Sequence, residues 1–132
     1  MIVDTSVWID YFNNQGSWQA DRLRKAIEEN ETIVLPGIVL TELLLGFSSD
    51  REAEKVSFLL QAFEIPPELT INDYQQAAAI YRKCRRNGKT IRSTIDCQIA
   101  TLCLRDNMAL LSKDRDFDFI AESYPLQSMT SS

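Results

Sequence analysis

No histidine occurs among the 132 residues, and that absence removes several chemistries at once. Neither a Ser-His-Asp nor a Cys-His apparatus can be built, nor a zinc site that needs imidazole. Cysteine is scarce: Cys84, Cys97 and Cys103 are an odd number in no metal-like spacing. Cys97 and Cys103 fall in an apolar helical pattern, where a free thiol behaves as a small hydrophobe. Long apolar runs are missing too, since no stretch reaches the roughly 18 uncharged residues of a membrane span. The first residues lack the basic and apolar regions of a signal peptide. Met1 leads straight into apparent structure, which suits a cytoplasmic protein. What is left for catalysis is carboxylates, hydroxyls, lysine, tyrosine, or a metal held by oxygen.

The composition, 45% hydrophobic and 25% charged, is that of one globular domain with an ordinary core. We expect that domain over residues 1–127, followed by a frayed tail at 128–132. The net charge of −5 is uneven. Arg82, Lys83, Arg85, Arg86, Lys89 and Arg92 form a run of six cations uninterrupted by any acid. Such a run either steers a polyanion or ends a helix whose C-terminus favours cations.

Short apolar segments alternate with helical patterns along the chain. Ile2-Val3 reads as a buried strand ending at Asp4, and Val7 to Phe12 as a helix that Thr5 or Ser6 can cap. A helix over Trp18 to Asn30 precedes a second strand, Thr32 to Leu35. Ile38 to Leu45 is a very apolar helix ended by Gly46. Residues 50–63 form an amphipathic helix led by Asp50 and broken at Pro66-Pro67. Leu69-Thr70-Ile71 reads as a short strand, followed by a helix capped by Asn72 or Asp73 and running to Asn87-Gly88. Ser93 opens a further helix to about Asn107. Ala109 to Ser112 is another buried strand, and a last short helix follows Asp116. Apolar strands separated by helices predict an α/β fold, a mainly parallel sheet covered on both faces.

Several carboxylates interrupt apolar surroundings. Glu42 and Thr41 are the only polar side chains in IVLPGIVLTELLLGF, and an ionised carboxylate is costly to bury alone. Asp96 heads the inward stripe Ile99, Ala100 and Cys103, although with Ser93 it also makes a variant capping box. Asp4 and Asp114 both follow apolar strands, at the end where ligands bind in an open parallel sheet. Four carboxylates brought together there would repel one another unless a cation lay between them. An all-oxygen ligand set suits Mg²⁺ or Mn²⁺.

At these residues the sequence resembles the PIN-domain ribonucleases, particularly the VapC toxins of bacterial toxin–antitoxin pairs. The matching pieces are IVDTSVWIDYF, the TEL of LPGIVLTELLLGF, RSTIDCQIA and LLSKDRDFDFI, together spanning residues 2 to 120. The resemblance implies a three-layer α/β/α sandwich and Mg²⁺- or Mn²⁺-dependent hydrolysis of RNA phosphodiester bonds. It carries the family's acids onto Asp4, Glu42, Asp96 and Asp114, with Asp116 a second candidate for the last. Thr5 or Ser6, and Ser112, are the supporting hydroxyls. Asp4 and Asp96 are expected to hold the metal directly, with Asp114 or Asp116 contributing through water. Glu42 would orient or deprotonate the attacking water, or bind a second ion. Arg82, Arg85, Arg86, Lys89 and Arg92 are candidates for gripping the RNA backbone. The resemblance also implies a homodimer and a cognate VapB-type antitoxin, with Trp8, Phe12, Trp18, Phe47 and Phe58 available as interface area.

Two other readings compete. A PIN-like scaffold without activity would keep the fold, with the acids serving as helix caps. A haloacid-dehalogenase phosphatase needs a second aspartate two residues after the first, where this chain has Ser6. A receiver domain wants paired acids after its first strand, where VDTSVW has one.

Overall fold

The computed structural model describes residues 1–131. Two short strands, β1 (Ile2–Val3) and β2 (Leu110–Leu111), pair in parallel with Ile2 opposite Leu110 and Val3 opposite Leu111. Single parallel bridges extend this ladder on both sides. Val34 pairs with Ile2, Glu64 with Val34, and Ser128 with Leu110. The spatial order is therefore Glu64, Val34, Ile2, Leu110, Ser128, with every pairing parallel. From β1 the chain first moves outward on one side, to residues 34 and 64. It then crosses to the other side, to 110 and 128. The crevice between β1 and β2 is where the direction of winding reverses, the place where such sheets open a ligand site.

Both residues of each strand are buried, Ile2, Val3 and Leu111 completely and Leu110 to within 1%. Successive strand residues point to opposite faces, so both faces of the sheet are covered, as the apolar runs predicted. Among the described residues, seven helices supply the cover: α1 (Thr5–Phe12), α2 (Trp18–Glu28), α3 (Gly37–Leu45), α4 (Asp50–Leu60), α5 (Ile71–Arg86), α6 (Thr94–Arg105) and α7 (Asp116–Ala121). Helix α1 packs on α2 and α3, and α3 on α4, while α5, α6 and α7 pack on one another. None of these helices is long and apolar enough to cross a membrane.

The helix starts follow local chemistry. Ser17 and Ser49 cap α2 and α4 through their hydroxyls, accepting from the N–H groups of Ala20 and Glu52. Asn30 and Asn107 take the left-handed conformation just beyond α2 and α6, and Gly88 does so beyond α5.

Five expectations from sequence need correction. Leu69-Thr70-Ile71 is not a strand, because Thr70 caps α5 and Ile71 is its first residue. Consequently neither Asn72 nor Asp73 is the cap; Asp73 sits inside the first turn. The strand expected over Thr32 to Leu35 shrinks to a bridge at Val34, flanked by the hydrogen bond from Leu35 N to Glu64 O. Helix α1 starts at Thr5 with Asp4 as its cap residue, so neither Thr5 nor Ser6 caps it. At the tail, Ser128 and Met129 pair with Leu110 instead of fraying; Ser132 lies outside the described residues.

Candidate active site

Five carboxylates meet at the β1–β2 crevice. Asp4 follows β1 directly, its N–H donating to the Leu111 carbonyl at 2.9 Å. Its carboxyl is buried, and Oδ2 accepts from the hydroxyls of Ser6 (3.1 Å) and Ser112 (3.0 Å). Burial pushes the Asp4 carboxyl above its usual range, against the pull of these two hydroxyls, and the charge of Glu42 adds to the rise. Glu42 itself is half-buried on α3, with Oε1 accepting from the Thr5 hydroxyl at 2.9 Å. The three hydroxyls expected near the acids, Thr5, Ser6 and Ser112, thus each donate to one of them.

Asp96 is the least satisfied member. It stands in the first turn of α6, 8% exposed, and its carboxyl accepts no hydrogen bond from the described residues. Ser93 spends its capping bond on Ile95 N, so the capping box that sequence allowed does not form. Burial first, and then the charges of Asp4, Asp114, Asp116 and Glu42, push the Asp96 carboxyl up to about 7.

Asp114 and Asp116 come from the loop after β2 and the start of α7. Ser112 Oγ accepts from Asp114 N at 3.0 Å, and Asp114 Oδ1 accepts from Asp116 N at 2.9 Å. One oxygen each from Asp96, Asp114 and Asp116 lies within 4.8 Å of the others. Three carboxylates that close, one of them buried and without a donor, fit a hard divalent cation and suit no neutral ligand. The compact group therefore contains both Asp114 and Asp116. Asp4, expected as a direct ligand, stands beside the group with Oδ2 occupied by two hydroxyls.

Sequence reasoning missed two contacts that hold this loop in place. Lys113 Nζ donates to the buried Asp10 of α1 at 2.6 Å, and this partner holds the Asp10 carboxyl below its ordinary range. The clue was available in the IDYF end of the first motif, an acid amid apolar residues. Arg92, expected among the RNA-gripping cations, instead lies against Asp114 and Asp116. The other cations, Arg82, Arg85, Arg86 and Lys89, remain together at the end of α5 and just beyond it. Arg82 and Arg85, with Tyr74, Tyr81, Thr94 and Gln98, line a cleft of about 380 Å³ between α5 and α6. Thr94 and Gln98, one turn apart on α6, lie on the helix face roughly opposite Asp96, so this cleft is set apart from the acids.

The chain matches the PIN domain over residues 1–123. It is 35% identical to Ribonuclease VapC11 of Mycobacterium tuberculosis, covering 97% of this chain and 96% of that protein. The chain belongs to the PIN-domain family. Solved structures agree on the fold. VapBC2 from Rickettsia felis, bound to a promoter DNA fragment, superposes with a TM-score of 0.74 at 19% identity, over 97% of this chain and 96% of that one. VapBC-1 from nontypeable Haemophilus influenzae gives a TM-score of 0.74 at 18% identity, over 98% and 96%. For a PIN domain the expectation from sequence holds: a mainly parallel sheet between helical layers, with acids gathered at its carboxyl edge.

Proposed function

We propose that this PIN domain is a metal-dependent endoribonuclease, the toxin of a bacterial toxin–antitoxin pair, acting in the cytoplasm. The observation that carries the reading is the convergence of Asp4, Glu42, Asp96, Asp114 and Asp116 on one crevice, with Asp96 buried and unpartnered. The likeness to VapC ribonucleases along nearly the whole chain supports the substrate class.

Asp96, Asp114 and Asp116 would hold Mg²⁺ or Mn²⁺, and Asp4 would add its charge or bind through water. When bound, such an ion neutralises the acids, lowers the pKa of water and stabilises charge on a phosphoryl oxygen. The chain's own residues do the rest. Thr5 fixes Oε1 of Glu42, which leaves Oε2 to accept a proton from the attacking water. Ser6 and Ser112 hold Asp4 in one orientation. Attack by water leaves a 5′-phosphate and a 3′-hydroxyl. Arg82, Arg85, Arg86 and Lys89, at the end of α5 and just beyond it, contact RNA phosphates, and those contacts weaken with salt. On the outer side, Leu45 (78% exposed) and Phe58 (73%) of α3 and α4 offer apolar area to an antitoxin or a second copy of the chain. Trp8, by contrast, is fully buried and takes no part in an interface.

Purified protein should fragment total cellular RNA only when Mg²⁺ or Mn²⁺ is present. Asp4→Asn and Asp96→Asn should remain folded and lose that cleavage by about 10³-fold. Equal inertness of wild type and both variants on every RNA, with no stabilisation by metal, would return the protein to the scaffold reading.

A further inference from the structure

Arg92 sends three donors into the acidic group. Its backbone N–H and Nε donate to Asp116 Oδ2 at 3.0 and 3.3 Å, and Nη2 donates to Asp114 Oδ1 at 2.9 Å. The residue also immediately precedes Ser93, the cap of the helix that carries Asp96. It therefore ties the α6 start to the β2–α7 loop, the two segments that deliver the three clustered carboxylates.

The choice of oxygens is informative. Oδ1 of Asp116 and Oδ2 of Asp114 accept nothing from the described residues, while their partner oxygens accept two donors each. A ligating carboxylate is commonly held this way, with one oxygen fixed from behind and the other left for the metal. We infer that Arg92 is a positioning residue for the metal site, a clamp that presents Asp114 and Asp116 to a divalent cation. This rests on the metal-dependent reading above and gives Arg92 a role apart from gripping RNA. Its guanidinium is also a cation near an incoming one. With the side chain 69% exposed, solvent screens that repulsion, whereas the hydrogen bonds act on two oxygens whose positions they set. Only a planar fork serves both acids; a lysine would keep the charge and lose the bidentate geometry.

Metal-free wild type, Arg92→Gln and Arg92→Lys, each checked for folding by thermal melting, are titrated with MnCl₂ by calorimetry in the absence of RNA. Both variants should bind Mn²⁺ at least about tenfold more weakly than wild type. Wild-type or tighter affinity in Arg92→Gln would overturn the clamp, and tighter binding there with wild-type affinity in Arg92→Lys would make Arg92 a competing cation instead. RNA cleavage by the same wild-type preparation separates the two readings. A wild type that cuts RNA and binds Mn²⁺ no better than Arg92→Gln removes the clamp alone. One that neither binds Mn²⁺ nor cuts RNA removes both.

Discussion

Asp73 and Asp96 each sit at the third position of a helix whose cap is a hydroxyl residue, Thr70 for α5 and Ser93 for α6. Both are buried, at 6% and 8% exposure. Asp73 completes its capping box: Oδ2 accepts from Thr70 N at 2.9 Å, and from Arg105 Nη1 at 2.8 Å. The Thr70 backbone N–H, followed by Arg105, holds the Asp73 carboxyl below its usual range. Asp96 has neither donor and faces four other acids, and its carboxyl moves the opposite way, up to about 7. One local pattern, a hydroxyl followed three residues later by aspartate, thus yields a paired structural anchor in α5 and a buried acid facing other acids in α6. The capping box identifies where a helix begins; what the carboxylate does depends on which residues the fold brings opposite it.

The comparison breaks most visibly in activity. Asp73→Asn should leave RNA cleavage within a few-fold of wild type, where Asp96→Asn loses about 10³-fold. Similar losses in both, measured on folded protein, would erase the distinction between paired anchor and clustered acid.

A smaller effect concerns metal uptake. Because Asp96 must release its proton to bind a cation, Mn²⁺ affinity should rise about tenfold per pH unit below 7 and level off above it. Calorimetry at pH 6 and 8 checks this, and a flat profile would mean that Asp96 is already ionised.

The smallest effects are on stability, and they have opposite signs. A carboxyl whose folded pKa is lowered stabilises the fold above its unfolded pKa and loses that contribution as pH falls through the folded value. Asp73→Asn should therefore lower the Tm by several degrees at neutral pH and by little in strong acid. A carboxyl whose folded pKa is raised costs stability increasingly between its unfolded pKa, near 4, and about 7. In metal-free protein Asp96→Asn should accordingly raise the Tm by a few degrees at pH 8 and leave it unchanged at pH 4. Thermal melts at the two pH values decide both.

Much of the site was legible because its signals are local. Asp4, Asp114 and Asp116 stand where apolar strand residues give way to polar ones, and Glu42 interrupts an otherwise apolar helix. The hydroxyls Thr5, Ser6 and Ser112 lie within two residues of one of these acids. What was not legible depends on residues far apart in the chain. Arg92 reads as one more cation in a basic run until the fold sets it against Asp114 and Asp116. Arg105 is an ordinary helix-ending cation until it reaches Asp73, 32 residues earlier. The strand expected at Leu69 to Ile71 failed for a different reason. Two β-branched residues beside a leucine look buried, but Ile71 is 78% exposed and Thr70 is used for its hydroxyl.

The central position of β1 has a consequence for synthesis. Ile2 and Val3 are translated before their neighbours in the sheet, yet they border Val34 on one side and Leu110 on the other. Until the ribosome has made β2, Asp4 has no Ser112 beside it, and neither Asp114 nor Asp116 exists. At elongation speeds of about 5–20 residues per second that wait is on the order of ten seconds. The nascent chain thus carries no assembled cluster until then, and the crevice forms only when the later-made β2 region docks against β1.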